Sequence, residues 1–185
     1  EGRGAYEWVQ ALVCSVLTVV LIFTFAVRIV RVSGESMRET LQDQDMLVVL
    51  NNWLCGGYEQ GDIVILQRDD FYGGEPIVKR VIATEGQTVD IDFDAGVVYV
   101  DGTALEEPYT REPTWTQEGT EFPLTVPEGC VFVMGDNRND SDDSRDSALG
   151  PVDTRCVLGR ALLLAVPGPT ADTEQRDWSR VGILN

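Results

Sequence analysis

The chain has 185 residues, 43% apolar and 24% charged, ordinary values for one folded domain and too apolar for a disordered chain. Its 31 acids outnumber its 14 bases, for a net charge of −17, which opposes nucleic-acid binding because phosphate neutralisation needs clustered cations. Histidine is absent, which excludes histidine-based triads, histidine zinc sites and imidazole bases.

Residues 9 to 27 read VQALVCSVLTVVLIFTFAV, 19 residues without a charge. A helix rising about 1.5 Å per residue would span roughly 28 Å here, close to the thickness of a bilayer's hydrocarbon core. Trp8 precedes the run and Arg28 and Arg31 follow it, residue types suited to membrane interfaces. The run exceeds the ~7–15-residue apolar stretch of a cleavable signal, and no small-x-small site follows it. Residues 1 to 31 are therefore expected to form a membrane anchor with its flanks. Arg28 and Arg31 alone would hold the rest of the chain in the cytoplasm, but long domains translocate largely regardless of charge. The chain opens on Glu1 rather than Met, so a preceding segment is also expected.

A few residues beyond the run comes Ser33-Gly34-Glu35-Ser36-Met37-Arg38-Glu39-Thr40-Leu41. A serine hydroxyl is a weak nucleophile until a base takes its proton. Without histidine, that base must be a carboxylate or a neutral amine. Thirteen of the 14 cations are Arg, and the one Lys is Lys79. Lys79 lies in Pro76-Ile77-Val78-Lys79-Arg80-Val81-Ile82. On a strand, Ile77, Lys79 and Val81 would share one face, setting the amine between β-branched neighbours. Burial there would depress its pKa. Read locally, a solvated edge lysine fits the same pattern.

From residue 45 onward, short runs rich in Val and Ile alternate with Gly, Pro, Asp and Asn. They lie at 45–50, 62–67, 76–83, 88–93, 97–100, 130–134 and 155–166, and this texture predicts a β-rich domain over 32–185. Asp101-Gly102 predicts a two-residue hairpin turn. Residues 106–128, with four prolines, read as a long connecting loop. The segment Gly135-Asp136-Asn137-Arg138-Asn139-Asp140-Ser141-Asp142-Asp143-Ser144-Arg145 carries acids, but its spacing fails the calcium-loop pattern. It reads as a structured polar loop with internal ion pairs. The polar tail from 167 to 185 is expected to be peripheral. Cys14 reads as a small hydrophobe, and Cys55, Cys130 and Cys156 form an odd set without CxxC spacing, so no structural disulfide, metal site or cofactor is expected.

Together these segments resemble the bacterial type I signal peptidases. The family's first box looks like SG-x-SM-x-PTL, met by residues 33–41. GDIV is met by 61–64, KRV-x-G-x-PGD loosely by 79–87, and GDNR-x-x-S-x-DSR in full by 135–145, with Gly150 following. The resemblance implies an antiparallel β-sheet catalytic domain after one transmembrane helix, on the extracytoplasmic side of the cell membrane. It implies Ser36 as nucleophile, Lys79 as general base, Ser141 holding the Lys79 amine, and Asp143 with Arg145 as a supporting ion pair. The implied partners are signal peptides of secreted preproteins and the lipid bilayer. Departures are Glu39 for the usual Pro, Glu85 and Gln87 for the Pro and Asp of PGD, and Gly34 where some members carry a Ser that helps bind the oxyanion. Two alternatives remain: a self-cleaving Ser–Lys repressor, which shares the β fold and the Ser/Lys pair but would carry a DNA-binding domain where this chain has an apolar span, and an inactive membrane-anchored β-domain that binds peptides.

Overall fold

The structure is a computed structural model that describes residues 2–170 and 175–184. The apolar run forms helix α1 (Gly2–Leu21), continued by one π-helical turn over Ile22–Ala26. The stretch Tyr6–Ala26 has a mean hydropathy of 2.4, and none of it is buried against the rest of the chain. The helical stretch stops one residue sooner than expected. Val27, Ile29 and Val30 favour extended backbone, and Val27–Arg31 forms strand β1. Arg28 and Arg31 thus sit on a sheet edge.

The strands that follow are β2 (Met46–Asn51), β3 (Ile63–Leu66), β4 (Ile77–Thr84), β5 (Thr88–Asp92), β6 (Val97–Val100), β7 (Thr103–Ala104), β8 (Leu124–Thr125), β9 (Cys130–Met134), β10 (Val152–Asp153), β11 (Val157–Val166) and β12 (Gly182–Ile183). A short helix, α2 (Asn52–Cys55), follows β2. The larger sheet runs β1-β2-β11-β3-β4-β9-β10, with β12 also on β11; the smaller runs β7-β6-β5-β8. The pairings among the described strands are antiparallel. The mainly β antiparallel architecture read from the sequence is the one observed. Asp101 and Gly102 both have positive φ, 52° and 76°, as the tight turn between β6 and β7 requires.

The core has three apolar clusters. One packs Met37 and Leu41 of the β1–β2 loop on β2, β3 and β11. A second joins β3, β4, β9 and β11 through Val64, Val81, Val133 and Val157. The third lies against the small sheet, with Ile82, Phe132 and Met134 meeting Val89, Ile91 and Val98. Each fully buried aliphatic side chain of this kind contributes roughly 1.5–3 kcal/mol relative to exposure. β4 borders all three clusters, so Val78 to Ala83 are buried on both faces. The sequence pattern suggested one core face, whereas β4 is an interior strand with the second sheet covering its other side. Arg80 is therefore buried as well as Lys79.

One other region departs from expectation. Residues 106–128 include β8, which pairs with β5, and the rest of the loop folds against 138–145. The tail runs over the surface, as expected, with 171–174 and 185 outside the described residues, but it is tied down rather than loose. Its apolar end pairs with β11 at Leu163↔Ile183, Leu184 packs on the first cluster, and Arg180 reaches Asp45. All four cysteines are free.

Candidate active site

Ser36 sits in the loop between β1 and β2, and Lys79 sits in the middle of β4, forty-three positions later. Lys79 Nζ lies 2.8 Å from Ser36 Oγ. Only 3% of Lys79 is exposed, and burial lowers its pKa from the usual 10.5 to about 8. Asp143 and Asp142 act in the opposite direction, Arg145 in the same direction as burial, and Glu118 against it, all weaker than the desolvation.

The polar loop 135–145 encloses this pair. Asn137 donates its backbone N–H to the Ser36 carbonyl at 3.0 Å and its side-chain amide to the Glu35 carbonyl at 3.2 Å. Gly135 is required by space: a Cβ there would lie 2.2 Å from Ser141 Oγ and 2.5 Å from the Ser36 carbonyl oxygen. Asp143 accepts from Arg145 Nε at 2.9 Å and Nη2 at 2.8 Å, a two-point ion pair fully buried on both sides. Asp143 Oδ2 also accepts from the Gly135 amide at 2.9 Å and from Ser141 Oγ at 3.1 Å. Ser141 lines the same cavity as Ser36 and Lys79 but donates its proton to Asp143, and no direct Ser141–Lys79 hydrogen bond occurs among the described residues.

A second buried pair stands beside the first. Arg80 donates to Asp136 through Nε at 2.9 Å and Nη2 at 2.7 Å, and to the Gly61 carbonyl at 2.9 Å. Its guanidinium lies 4.0 Å from the centre of the Tyr109 ring. Thr40 Oγ1 donates to Asp136 Oδ2 at 2.5 Å, joining the Ser36 loop to the neighbour of Lys79. Arg138 is held by Glu107 and Thr114 of the long loop, which explains why that loop folds inward. The sequence reading named neither Arg80–Asp136 nor Glu107–Arg138. The usable signal was an Arg directly after the lysine and an Asp at the second position of the GDNR segment.

Glu118, on the same long loop, lies 3.4 Å from Arg145 Nη2. Burial raises its pKa to about 7; Arg145 opposes the shift, while Asp143, Asp142 and Asp146 add to it. Ser36 and Lys79 open into a cavity of about 720 Å³. One wall is the stretch 30–36 and another the stretch 75–79, and Tyr72 donates across the mouth to Asp142. The Gly34 amide is engaged with Asp43 Oδ1 at 3.1 Å. The Ser36 amide makes no hydrogen bond among the described residues.

The family described as "Signal peptidase, peptidase S26" matches residues 5–166. The chain is 36% identical over 175 residues to Signal peptidase I of Bacillus licheniformis, covering 90% of this chain and 91% of that one. It is 33% identical over 176 residues to Signal peptidase I S of Bacillus subtilis (strain 168), covering 90% and 92%. A crystal structure of a signal peptidase I from Enterococcus faecalis V583 is 35% identical, with a TM-score of 0.45, covering 56% of this chain and 96% of that one. The match decides between the alternatives left open by the sequence, against a repressor and against an inactive binding domain. Its fully matching GDNR segment, its Ser–Met pair and its strand boxes all fall within the matched region, and the chain belongs to the signal peptidase family, peptidase S26, as a serine endopeptidase.

Proposed function

We propose that this chain is a membrane-anchored Ser–Lys endopeptidase that removes signal peptides from exported preproteins. The observation that carries the reading is the 2.8 Å contact between Ser36 Oγ and the buried amine of the chain's one lysine, in a chain without histidine. Neutral Lys79 accepts the Ser36 proton, and Ser36 Oγ attacks the scissile carbonyl to form an acyl-enzyme. The Lys79 ammonium protonates the leaving amine, and Lys79, neutral again, takes a proton from the water that attacks and releases the acyl group. The Ser36 N–H, without a partner among the described residues, is the first oxyanion donor. Ser141 acts one step back. Because its proton goes to Asp143, its lone pairs remain free, and a small approach of the Lys79 ammonium during turnover would bring it onto them; Asp143–Arg145 fixes Ser141.

The substrate enters as an extended strand between the stretches 30–34 and 75–79, which line the cavity but do not pair with each other. It carries small residues at the first and third positions before the cut. Residues 1–31 form the anchor and its flank, and 32–185 the peptidase domain on the extracytoplasmic face. β1, from the flank, supplies the domain's edge strand. No nucleic acid and no metal or organic cofactor takes part. Preprotein cleavage in detergent, with Ser36→Ala alongside, tests the reading: the variant should melt like the parent and show no cleavage. Residual turnover above a few per cent would remove Ser36 as nucleophile.

A further inference from the structure

The loop that carries Ser36 is closed at its base by Val32 and Asp45. The Val32 amide donates to the Asp45 carbonyl at 2.8 Å, and the Gln44 amide donates to the Val32 carbonyl at 2.9 Å. The Asp45 side chain is fully buried and accepts from the Gln42 amide at 2.8 Å and the Gly168 amide at 2.6 Å. Two N–H groups do not neutralise a buried carboxylate, and an unpaired buried charge is costly. Its counter-charge comes from the far end of the chain. Arg180 donates through Nη2 to Asp45 Oδ2 at 2.7 Å and through Nη1 to Oδ1 at 3.1 Å. The same Nη2 also donates to the Thr40 carbonyl at 3.2 Å.

The tail is built to deliver this guanidinium. Gly168 passes so close to the loop that a Cβ there would lie 2.0 Å from the Asp43 carbonyl oxygen. The turn Trp178–Arg180 is capped by Asp177, which accepts from the Ser179 amide at 3.0 Å. Thr40 is thereby held from two sides, its hydroxyl by Asp136 and its carbonyl by Arg180, four residues after the nucleophile.

We propose that Arg180 is a positioning residue of the active site: acting through Asp45 and Thr40, it fixes the loop that sets Ser36 against Lys79. Planar and fork-shaped, a guanidinium meets both carboxylate oxygens and a carbonyl together, which an ammonium on a flexible stem cannot do. The inference rests on the Ser36–Lys79 reading above. Arg180 touches neither substrate nor reacting atoms, so its loss acts on the position of Ser36 and leaves the 75–79 wall of the groove and the burial of Lys79 in place.

Five versions of the 185-residue chain in detergent test this: the parent, Arg180→Ala, Arg180→Gln, Arg176→Ala and Ser36→Ala. Preprotein kcat, KM, the acid limb of kcat/KM and the melting temperature are measured for each. Arg180→Ala is expected to lower kcat about 10- to 100-fold, the scale of misplacement by a fraction of an ångström to 1 Å, with KM within about 2-fold and the acid limb unmoved. Arg180→Gln keeps a donor for Thr40 but no charge. It should show the same pattern, and it carries the test if Arg180→Ala does not fold. Arg176→Ala removes another tail contact, to the Pro167 carbonyl, without touching the loop, and should keep the parent kcat. Parent kcat in a folded Arg180→Ala or Arg180→Gln, or an equal loss in Arg176→Ala, overturns the inference while a dead Ser36→Ala keeps the active-site reading. An active Ser36→Ala overturns the active-site reading itself.

Discussion

The burial of Lys79 carries a stability cost that depends on pH. Its folded pKa of about 8 lies below its usual 10.5 because burial disfavours the charged amine. Between those two values the unfolded chain holds the extra proton, so stability rises with pH from about 8 to about 10.5, and below 8 the penalty is fully present. Replacing Lys79 by Met should therefore stabilise the fold by about 3 kcal/mol near pH 7, a gain that shrinks towards pH 10.5, while abolishing cleavage. Thermal melts of both proteins across that range check the sign. A Met variant that melts lower than the parent at pH 7 would contradict the burial argument. Ser141→Ala should lower kcat roughly 10- to 1000-fold with little change in KM, because it loosens the amine without touching substrate. Steady-state kinetics on preprotein give both numbers, and parent kcat would remove Ser141 from the mechanism.

Among the elements, the loop 135–145 does the assembling: it joins the Ser36 loop, β4 and the long connection 106–128. Gly135→Ala should abolish turnover, since its Cβ would collide with both Ser141 and the Ser36 carbonyl. Asp136→Ala should cost about 3–5 kcal/mol, because it leaves the buried Arg80 guanidinium without its carboxylate. Urea melts of this variant measure that loss; a cost under 1 kcal/mol would mean that Tyr109 and Gly61 suffice for Arg80. The strands were legible because β-branched runs and turn residues report local backbone preference, and Asp101-Gly102 marked its hairpin for the same reason. The absence of histidine and the single lysine narrowed the possible bases to a carboxylate or Lys79, but it was the resemblance to the signal peptidase boxes that paired Lys79 with Ser36. Their 2.8 Å approach was not legible, since it depends on β4 lying between β3 and β9. Nor was the inward fold of 106–128 or the return of Arg180, because long-range ion pairs leave no periodic trace. β1 was missed because its apolar residues directly continue an apolar helix.

At the scale of the whole molecule, the apolar N-terminal helix and the sheet form a continuous piece. The Phe25 carbonyl accepts from Asn51 Nδ2 at 2.6 Å and from Trp53 Nε1 at 2.9 Å, so the end of the helical stretch is tied to α2. β1 begins at the next residue but one and is the edge strand of the large sheet. A chain starting at residue 27 should stay folded and cleave a short soluble signal-peptide substrate, with its advantage on membrane-tethered preproteins lost. A chain starting at residue 33 lacks β1, exposes the edge of β2 and should aggregate; gel filtration separates the two outcomes. Behind all of this stands the claim that the buried amine of Lys79 is the base for Ser36. The pH dependence of kcat/KM for preprotein cleavage by the full chain in vesicles measures that claim most directly. The account predicts activity that rises through a single acid limb near pH 8, with Lys79→Arg inactive throughout because a guanidinium keeps its proton. An acid limb at pH 4 to 5, where a carboxylate titrates, or turnover by Lys79→Arg, would contradict it.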